Sequence, residues 1–331
     1  MRLLRPIIVL VLLACAAGGY AVYRTSEPYQ GFSGDVFIDF ARGTGTNAMA
    51  DALARAGVVR SRFDFVLARA INRVGVLQAG EYRFTKPASP AEIVARIRKG
   101  DVFYYELVVP EGKNMFDIAG AVEQIGLFKA ADFMKAARDP SSIRDLDPKA
   151  PTLEGYLFPD TYKLSRHTTP ERLVKLMTSK FREAWNGLHT DANIHDTVTL
   201  ASLVEKEGKL AEERPKIAAV FTNRLKIGMK LDCDPTTIYA ALLENKYRGT
   251  IYRSDLDRVH AYNTYKIAGL PPGPIANPGI ASMRAALAPA GIDSLYFVAR
   301  ADGSGGHEFS STIAAHELAV DRYHRALRKL R

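Results

Sequence analysis

Thr197 to Thr237 reads TVTLASLVEKEGKLAEERPKIAAVFTNRLKIGMKLDCDPTT, and the rest of the chain is organised around it. Val198 to Val204 is apolar or small almost all the way round a helical wheel, which predicts a buried helix. Two carboxylates follow at once, Glu205 and Glu207. A Glu beside a buried apolar run loses solvation, which raises a carboxyl pKa toward the range a general acid needs. Residues two apart on a helix point to different faces, so the two cannot share one role. Glu205 lines up with Val198 and Ala201, and Glu207 with Leu200 and Leu203; periodicity does not choose between them. The plainer alternative is a helix ending in a solvated charge cluster.

Glu212, Glu213, Arg214 and Pro215 predict the start of a second helix, with acids and a proline where a first turn favours them. Ile217, Val220, Phe221 and Leu225 give that helix an apolar face, and Gly228 is its stop. The order ASLVEKE, VFTNRL, GMKLDCDPTTIY, AYNTY and GLPPGPIANPG, all within Ala201–Gly279, resembles the YceG-like family of membrane-anchored endolytic murein transglycosylases. Five motifs in order are far more specific than one short pattern. The resemblance places the catalytic acid at the first Glu of VEKE, Glu205.

Toward the N-terminus, Pro6 to Tyr23 are eighteen uncharged residues bounded by Arg5 and Arg24, at the short end for spanning a bilayer. Arg2 and Arg5 favour keeping the short side cytoplasmic. The expectation is a single-pass inner-membrane anchor over residues 1–24 with the rest extracytoplasmic. A cleaved signal peptide and lipidation at Cys15 are the competing readings. A linker is expected over 25–34, rich in turn formers.

From Phe37, FIDFARGTGTNAMADALARAGVV can be laid over ELVVPEGKNMFDIAGAVEQIGLF from Glu106, matching Gly43 with Gly112, Ala50 with Ala119, Ala52 with Ala121 and Gly57 with Gly126. Each copy predicts a strand, a Gly turn and an amphipathic helix closed by Gly. Gly80–Phe84 predicts a further strand, and Ala91–Lys99 a helix capped by Ser89 with Pro90 in its first turn. This strand–helix unit resembles the LysM-like modules of the same family, which implies glycan binding or a spacer role. The proline-rich loop Arg138–Pro151 is the expected boundary, giving a LysM-like domain over 35–150 and a catalytic domain over 151–331. The fold class expected is α+β, an N-terminal transmembrane helix followed by those two domains, with the catalytic Glu borne on a helix.

Leu153–Tyr162 (LEGYLFPDTY) holds aromatics beside carboxylates, as a sugar cleft does, although aromatic clusters are more often core. The resemblance favours the cleft, with Glu154 as a second acid or an orienter and Tyr156 at the substrate. Pro170–Trp185 predicts an amphipathic helix whose Trp185 packs in the core. Arg248–His260 is expected to loop over the cleft. Asn223, Asp234, Thr236, Tyr262, Asn263 and Tyr265 are the candidates for holding the glycan, through amide, carboxyl and hydroxyl groups. Asp234 could equally open a helix before Pro235, and the AYNTY side chains could satisfy backbone groups in an irregular loop. Ser294–Ala299 predicts a strand, Gly303–Ser311 a turn with a structural His307, and Ile313–Leu330 the closing helix.

The 331 residues suffice for two modest domains, and the 47% apolar and 24% charged content is that of a globular protein. A net charge of +9 fits an anionic partner such as a membrane surface or acidic envelope polymer. The anchor puts nucleic acid in the wrong compartment. Cys15 and Cys233 are placed too differently for an intrachain disulfide, and no phosphate loop or HExxH zinc helix is present.

Glycosidic cleavage needs a proton on the leaving oxygen and stabilisation of an oxocarbenium-like centre. The resemblance implies that Glu205 alone protonates the bridge between N-acetylmuramic acid and N-acetylglucosamine. It then deprotonates the muramic 6-hydroxyl, which closes a 1,6-anhydro ring, with no metal or cofactor. Nascent peptidoglycan strands are the implied substrate, and cell-wall synthases are candidate partners. Two alternatives stay open: a hydrolytic muramidase using Asp232, Asp234 or Glu154 as a second carboxylate, and a non-catalytic, membrane-tethered glycan-binding scaffold.

Overall fold

The computed structural model describes residues 4–329. It is a mixed α/β structure that divides into two compact units, one ending at Tyr104 and one beginning at Tyr105. Arg2, part of the expected orienting charge, lies outside the described residues, as does Leu330, where the closing helix was expected to end.

The first unit opens with α1 (Leu4–Ser26), followed by β1 (Val36–Phe40), α2 (Thr46–Arg55), α3 (Arg62–Ile71), β2 (Gly80–Phe84) and α4 (Pro90–Lys99). Ile7–Ser26 has mean hydropathy 1.9 and is long and apolar enough to cross a membrane. Arg24 at its end donates to both carboxylate oxygens of Asp64 at 2.7 Å. β1 and β2 pair antiparallel, Ile38 opposite Tyr82, and their inward residues meet α2, α3 and α4 around Phe40, Leu53, Phe65, Tyr82, Ile93 and Ile97. α4 carries a capping box: Ser89 Oγ accepts from the Glu92 backbone N–H, and Glu92 accepts from that of Ser89. Such a cap is worth about 1 kcal/mol.

The second unit runs through β3 (Tyr105–Val109), α5 (Met115–Gln124), α6 (Ala130–Ala137), β4 (Asp160–Leu164), α7 (Pro170–Asn186), α8 (Ile194–Glu207), α9 (Arg214–Lys226), α10 (Asp234–Leu243), α11 (Arg253–Asp257), α12 (Ile280–Leu287), β5 (Tyr296–Ala299), β6 (His307–Ser310) and α13 (Ile313–Lys329). β3 pairs antiparallel with β4 and β5 with β6. α8 is the centre: Thr197 to Val204 are all buried, and α9, α10 and α12 pack against it. Trp185 stacks on Phe181 with ring centroids 6.4 Å apart, in the core as expected. Cys233 is buried and Cys15 exposed, both free.

The internal repeat is real at the level of backbone. Both copies form strand, turn and helix, and Gly43 and Gly112 turn with φ of +85° and +76°, a region costly for any residue with a Cβ. The helix-closing pair Gly57 and Gly126 has φ of +70° and +74°. The two copies nevertheless belong to different units. The two compact units divide at residues 104 and 105, ahead of the boundary expected near residue 150; among the described residues β3 pairs with β4, 51 positions later in register from Val109 to Asp160. Residues 138–151 are packed rather than linking: Pro140, Ile143 and Ala150 are buried. Two smaller differences concern loops. Arg248–His260 contains the one-turn helix α11, and His307–Ser310, expected as a turn, is a strand.

Candidate active site

α8 delivers Glu205 and Glu207 in different directions, as the helical period requires. Glu205 side-chain atoms are 5% exposed. Its Oε1 accepts from Nη2 of Arg214 at 3.0 Å, and its Oε2 accepts from the Gly279 backbone N–H at 3.0 Å. Gly279 is the N-cap of α12, where unpaired N–H groups and the helix dipole favour an anion. Arg214, the first residue of α9, also donates through Nε to the Gly208 carbonyl at 3.3 Å. Its Nη1 reaches Glu111 Oε2 at 3.7 Å. Glu111 is half exposed and comes from the β3–α5 turn, whose Gly112 packs beside Glu205. A Cβ on Gly279 would lie 1.8 Å from Glu111 Oε1, so both acids converge on one glycine.

Glu207 faces the other way. It accepts from the Cys233 thiol at 3.3 Å, and burial pushes both its carboxyl and the thiol up from their ordinary values. It borders a cavity of about 400 Å³ lined by Arg224, Asp232, Asp234, Tyr265, Tyr296 and His316, among others.

Glu154 is 1% exposed, and burial pushes its carboxyl up to about 8. The Met115 N–H and the Asn277 amide each donate to it at 2.9 Å. Asn277 is a hub: its Oδ1 accepts from Gly155 and Leu157 N–H, its Nδ2 also donates to the Lys113 carbonyl, and its own carbonyl accepts from Gly112. One amide thus ties the Glu111 turn, the EGYLF segment and the loop ending in Gly279. Ser202 adds a second tie, accepting from Ile275 N–H at 3.1 Å.

Several residues expected at the glycan are spent inside the protein. Glu154 is not open to substrate, and Tyr156 is buried with its hydroxyl donating to Asp147. Thr236 and Asn263 are fully buried. Thr236 bonds Cys233 and Thr264, while the Asn263 amide donates to the carbonyls of Asp255, Leu256 and Arg258. Asn223 donates to the carbonyls of Ile292 and Ser294, fastening α9 to the approach to β5. Tyr262 is 9% exposed and packs on Tyr239. Tyr265 and Asp234 remain at the cavity wall, the hydroxyl donating to the carboxylate at 2.7 Å. The physical reason is common to the buried set: irregular loops carry many backbone groups that must be paired, and short polar side chains pair them. His307, expected to be structural, has its N–H and ring Nδ1 both at Glu213.

Arg214, Glu111, Asn277 and Gly279 have no individual role in the sequence reading: Arg214 enters there as part of a helix start, and Asn277 and Gly279 as part of the GLPPGPIANPG motif. Glu111 did leave a trace: the repeat aligns it with Arg42, a reversal of charge beside an otherwise matched glycine.

Residues 38–322 match the YceG-like family. The chain is 32% identical over 330 residues to an endolytic murein transglycosylase of Bacillus subtilis (strain 168), covering 92% of this chain and 90% of that one. It is 30% identical over 335 residues to an endolytic murein transglycosylase of Streptococcus pneumoniae serotype 2, covering 88% of this chain and 60% of the longer relative. A crystal structure of a yceG-like protein from Listeria monocytogenes superposes with TM-score 0.54 at 30% identity, covering 87% of this chain and 99% of that one. With sequence match, fold and motif order in agreement over most of its length, the chain belongs to the YceG-like family.

Proposed function

We propose that this protein is an endolytic peptidoglycan lytic transglycosylase that cleaves the β-1,4 bond between N-acetylmuramic acid and N-acetylglucosamine in nascent strands and leaves 1,6-anhydro-muramic ends. The carrying observation is Glu205, held between Arg214 and the N-terminus of α12 at the end of a buried helix. Positioned this way, one carboxyl can protonate the bridging oxygen and then take the proton of the muramic 6-hydroxyl as that oxygen attacks the anomeric carbon. The names of the curated relatives support the same reaction class. Of the second carboxylates a hydrolase could use, Glu154 is sealed in the core and Asp232 and Asp234 border the Glu207 cavity, which favours single-carboxylate chemistry.

α1 serves as a single-pass inner-membrane anchor, with the catalytic residues extracytoplasmic and cell-wall synthases as candidate partners. The LysM-like region expected over residues 35–150 supplies a glycan-binding or spacing role. A groove of about 810 Å³ between Arg83, Arg96, Phe103 and Tyr104, with the Arg83 guanidinium over the Phe103 ring, supports glycan contact there. Tyr265 and Asp234, which line the Glu207 cavity, are the candidates for glycan contact there.

The test is mass spectrometry of purified peptidoglycan digested with the full chain in detergent, beside Glu205→Gln. Anhydro-muramic ends that vanish in the variant are expected. Reducing ends, one water heavier, would replace the reading with a hydrolase. Glycan binding without cleavage would replace it with a scaffold.

A further inference from the structure

The bonds that hold Glu205 set it a chemical problem. Both its oxygens face donors, Arg214 on one side and Gly279 N–H on the other. A carboxyl that is to deliver a proton must first carry one, and its O–H cannot point into another donor. A proton on Oε1 would leave the Arg214 guanidinium, 13% exposed, without its closest acceptor, and a desolvated charge without a partner is costly. A second acceptor stands ready, since Glu111 Oε2 lies 3.7 Å from Nη1 of the same guanidinium. Its place there exists because Gly279 has no side chain. Among the described residues, Glu205 and Glu111 are the carboxylates within salt-bridge reach of Arg214.

We propose that Glu111 is a positioning residue for glycan cleavage, taking over Arg214 when Glu205 acquires the proton it will deliver. The inference rests on the reading of Glu205 as the acid. The guanidinium alternates between two carboxylates and keeps all its own protons. Glu205 gains one proton from solvent, passes it to the glycosidic oxygen, and recovers one from the muramic 6-hydroxyl as the anhydro ring closes, so no proton is consumed overall. The surrounding charges do not offer another route. Lys113 from the same turn lies 3.9 Å from Asp117, and Lys206 on α8 donates to the Gly112 carbonyl. Glu207 faces Cys233, Asp234 at the start of α10 takes the Tyr265 hydroxyl, and α12 presents Gly279 N–H while its Arg284 is exposed. Next to Arg214 on α9's approach, Glu213 is occupied by His307.

The experiment is steady-state cleavage of soluble uncrosslinked glycan strands between pH 5 and 9 by the full chain in detergent, for wild type, Glu111→Gln, Glu111→Asp and Glu205→Gln. In Glu111→Gln the guanidinium has no alternative anion and stays on Glu205. We expect kcat to fall about tenfold with KM within about twofold, and the alkaline limb of the rate profile to move down by about one pH unit. Glu111→Asp, which keeps the charge, should restore part of kcat. A wild-type profile for Glu111→Gln overturns the proposal. So does a fall in kcat with an unmoved limb, which is what a structural role for the turn would give, or a rise in KM alone. Glu205→Gln separates the two levels. Full cleavage by that variant removes the reading of Glu205 itself, whereas a dead Glu205→Gln beside an unaffected Glu111→Gln removes only the role of Glu111.

Discussion

Glu154 should make the second unit's stability fall as pH rises, and replacing it should remove that slope. Its carboxyl has an ordinary value near 4.5 and is pushed up to about 8, chiefly by burial. The unfolded chain therefore releases this proton first. Between those limits the native state binds one more proton than the unfolded state, so stability decreases with pH by up to about 1.4 kcal/mol per unit. Summed over the window, the loss is at most about 5 kcal/mol. For a unit of this size that corresponds to roughly 10 °C in the midpoint. Glu154→Gln cannot ionise. It will carry a fixed penalty, since its amide NH2 meets either Met115 N–H or the Asn277 amide, both donors. An offset does not confuse the result, because the diagnostic is the slope. Thermal unfolding of the full chain in detergent at pH 5, 6, 7 and 8 should show wild type losing stability relative to Glu154→Gln at each step. Parallel curves for the two proteins would refute the argument that this carboxyl is held protonated by burial.

Two other perturbations probe the supports of the site. In Glu213 the donors from His307 outweigh the burial that acts against them, so its carboxyl sits below the ordinary value. His307→Ala should cost about 2–4 kcal/mol near neutral pH by leaving a buried carboxylate short of partners. Because a depressed carboxyl contributes above its unfolded value and loses that contribution as pH falls through the folded one, the gap between wild type and variant should narrow in acid, as chemical denaturation at pH 7 and pH 4 would show. Gly279→Ala places a Cβ 1.8 Å from Glu111 Oε1, at the free end of a half-exposed side chain that can swing away. Stability should change by less than about 1 kcal/mol while cleavage falls at least about tenfold; an unchanged rate would contradict the close approach.

Much of the local architecture was legible before any coordinates. The apolar run before Glu205 reads as a buried helix, and α8 is buried over that run because it presents no continuous polar face to water. Ser89, Pro90 and Glu92 announce α4, and paired glycines announce both strand–turn–helix copies, since caps and left-handed turns are properties of a few adjacent residues. The five ordered motifs identify the family. The opposite facing of Glu205 and Glu207 follows from helical geometry alone.

Other features have no local signature. β3 could have closed the first unit, but its pairing with β4 and the bonds from Gly112 to Asn277 and Met115 to Glu154 carry the second repeat copy into the other one. Polar residues that look available for sugar, such as Asn263 and Thr236, are consumed by backbone groups that only the folded loops bring to them. Asn277 is unremarkable in the chain and central in space, because it joins segments over a hundred residues apart. Glu111 meets Arg214 and Gly279 from far away in the chain, and no period or spacing encodes such a meeting. Helices, caps and turns are decided by neighbours within a few residues and so can be read directly. The partners of a charged side chain are decided by how those elements pack, and that was settled only in the tertiary structure.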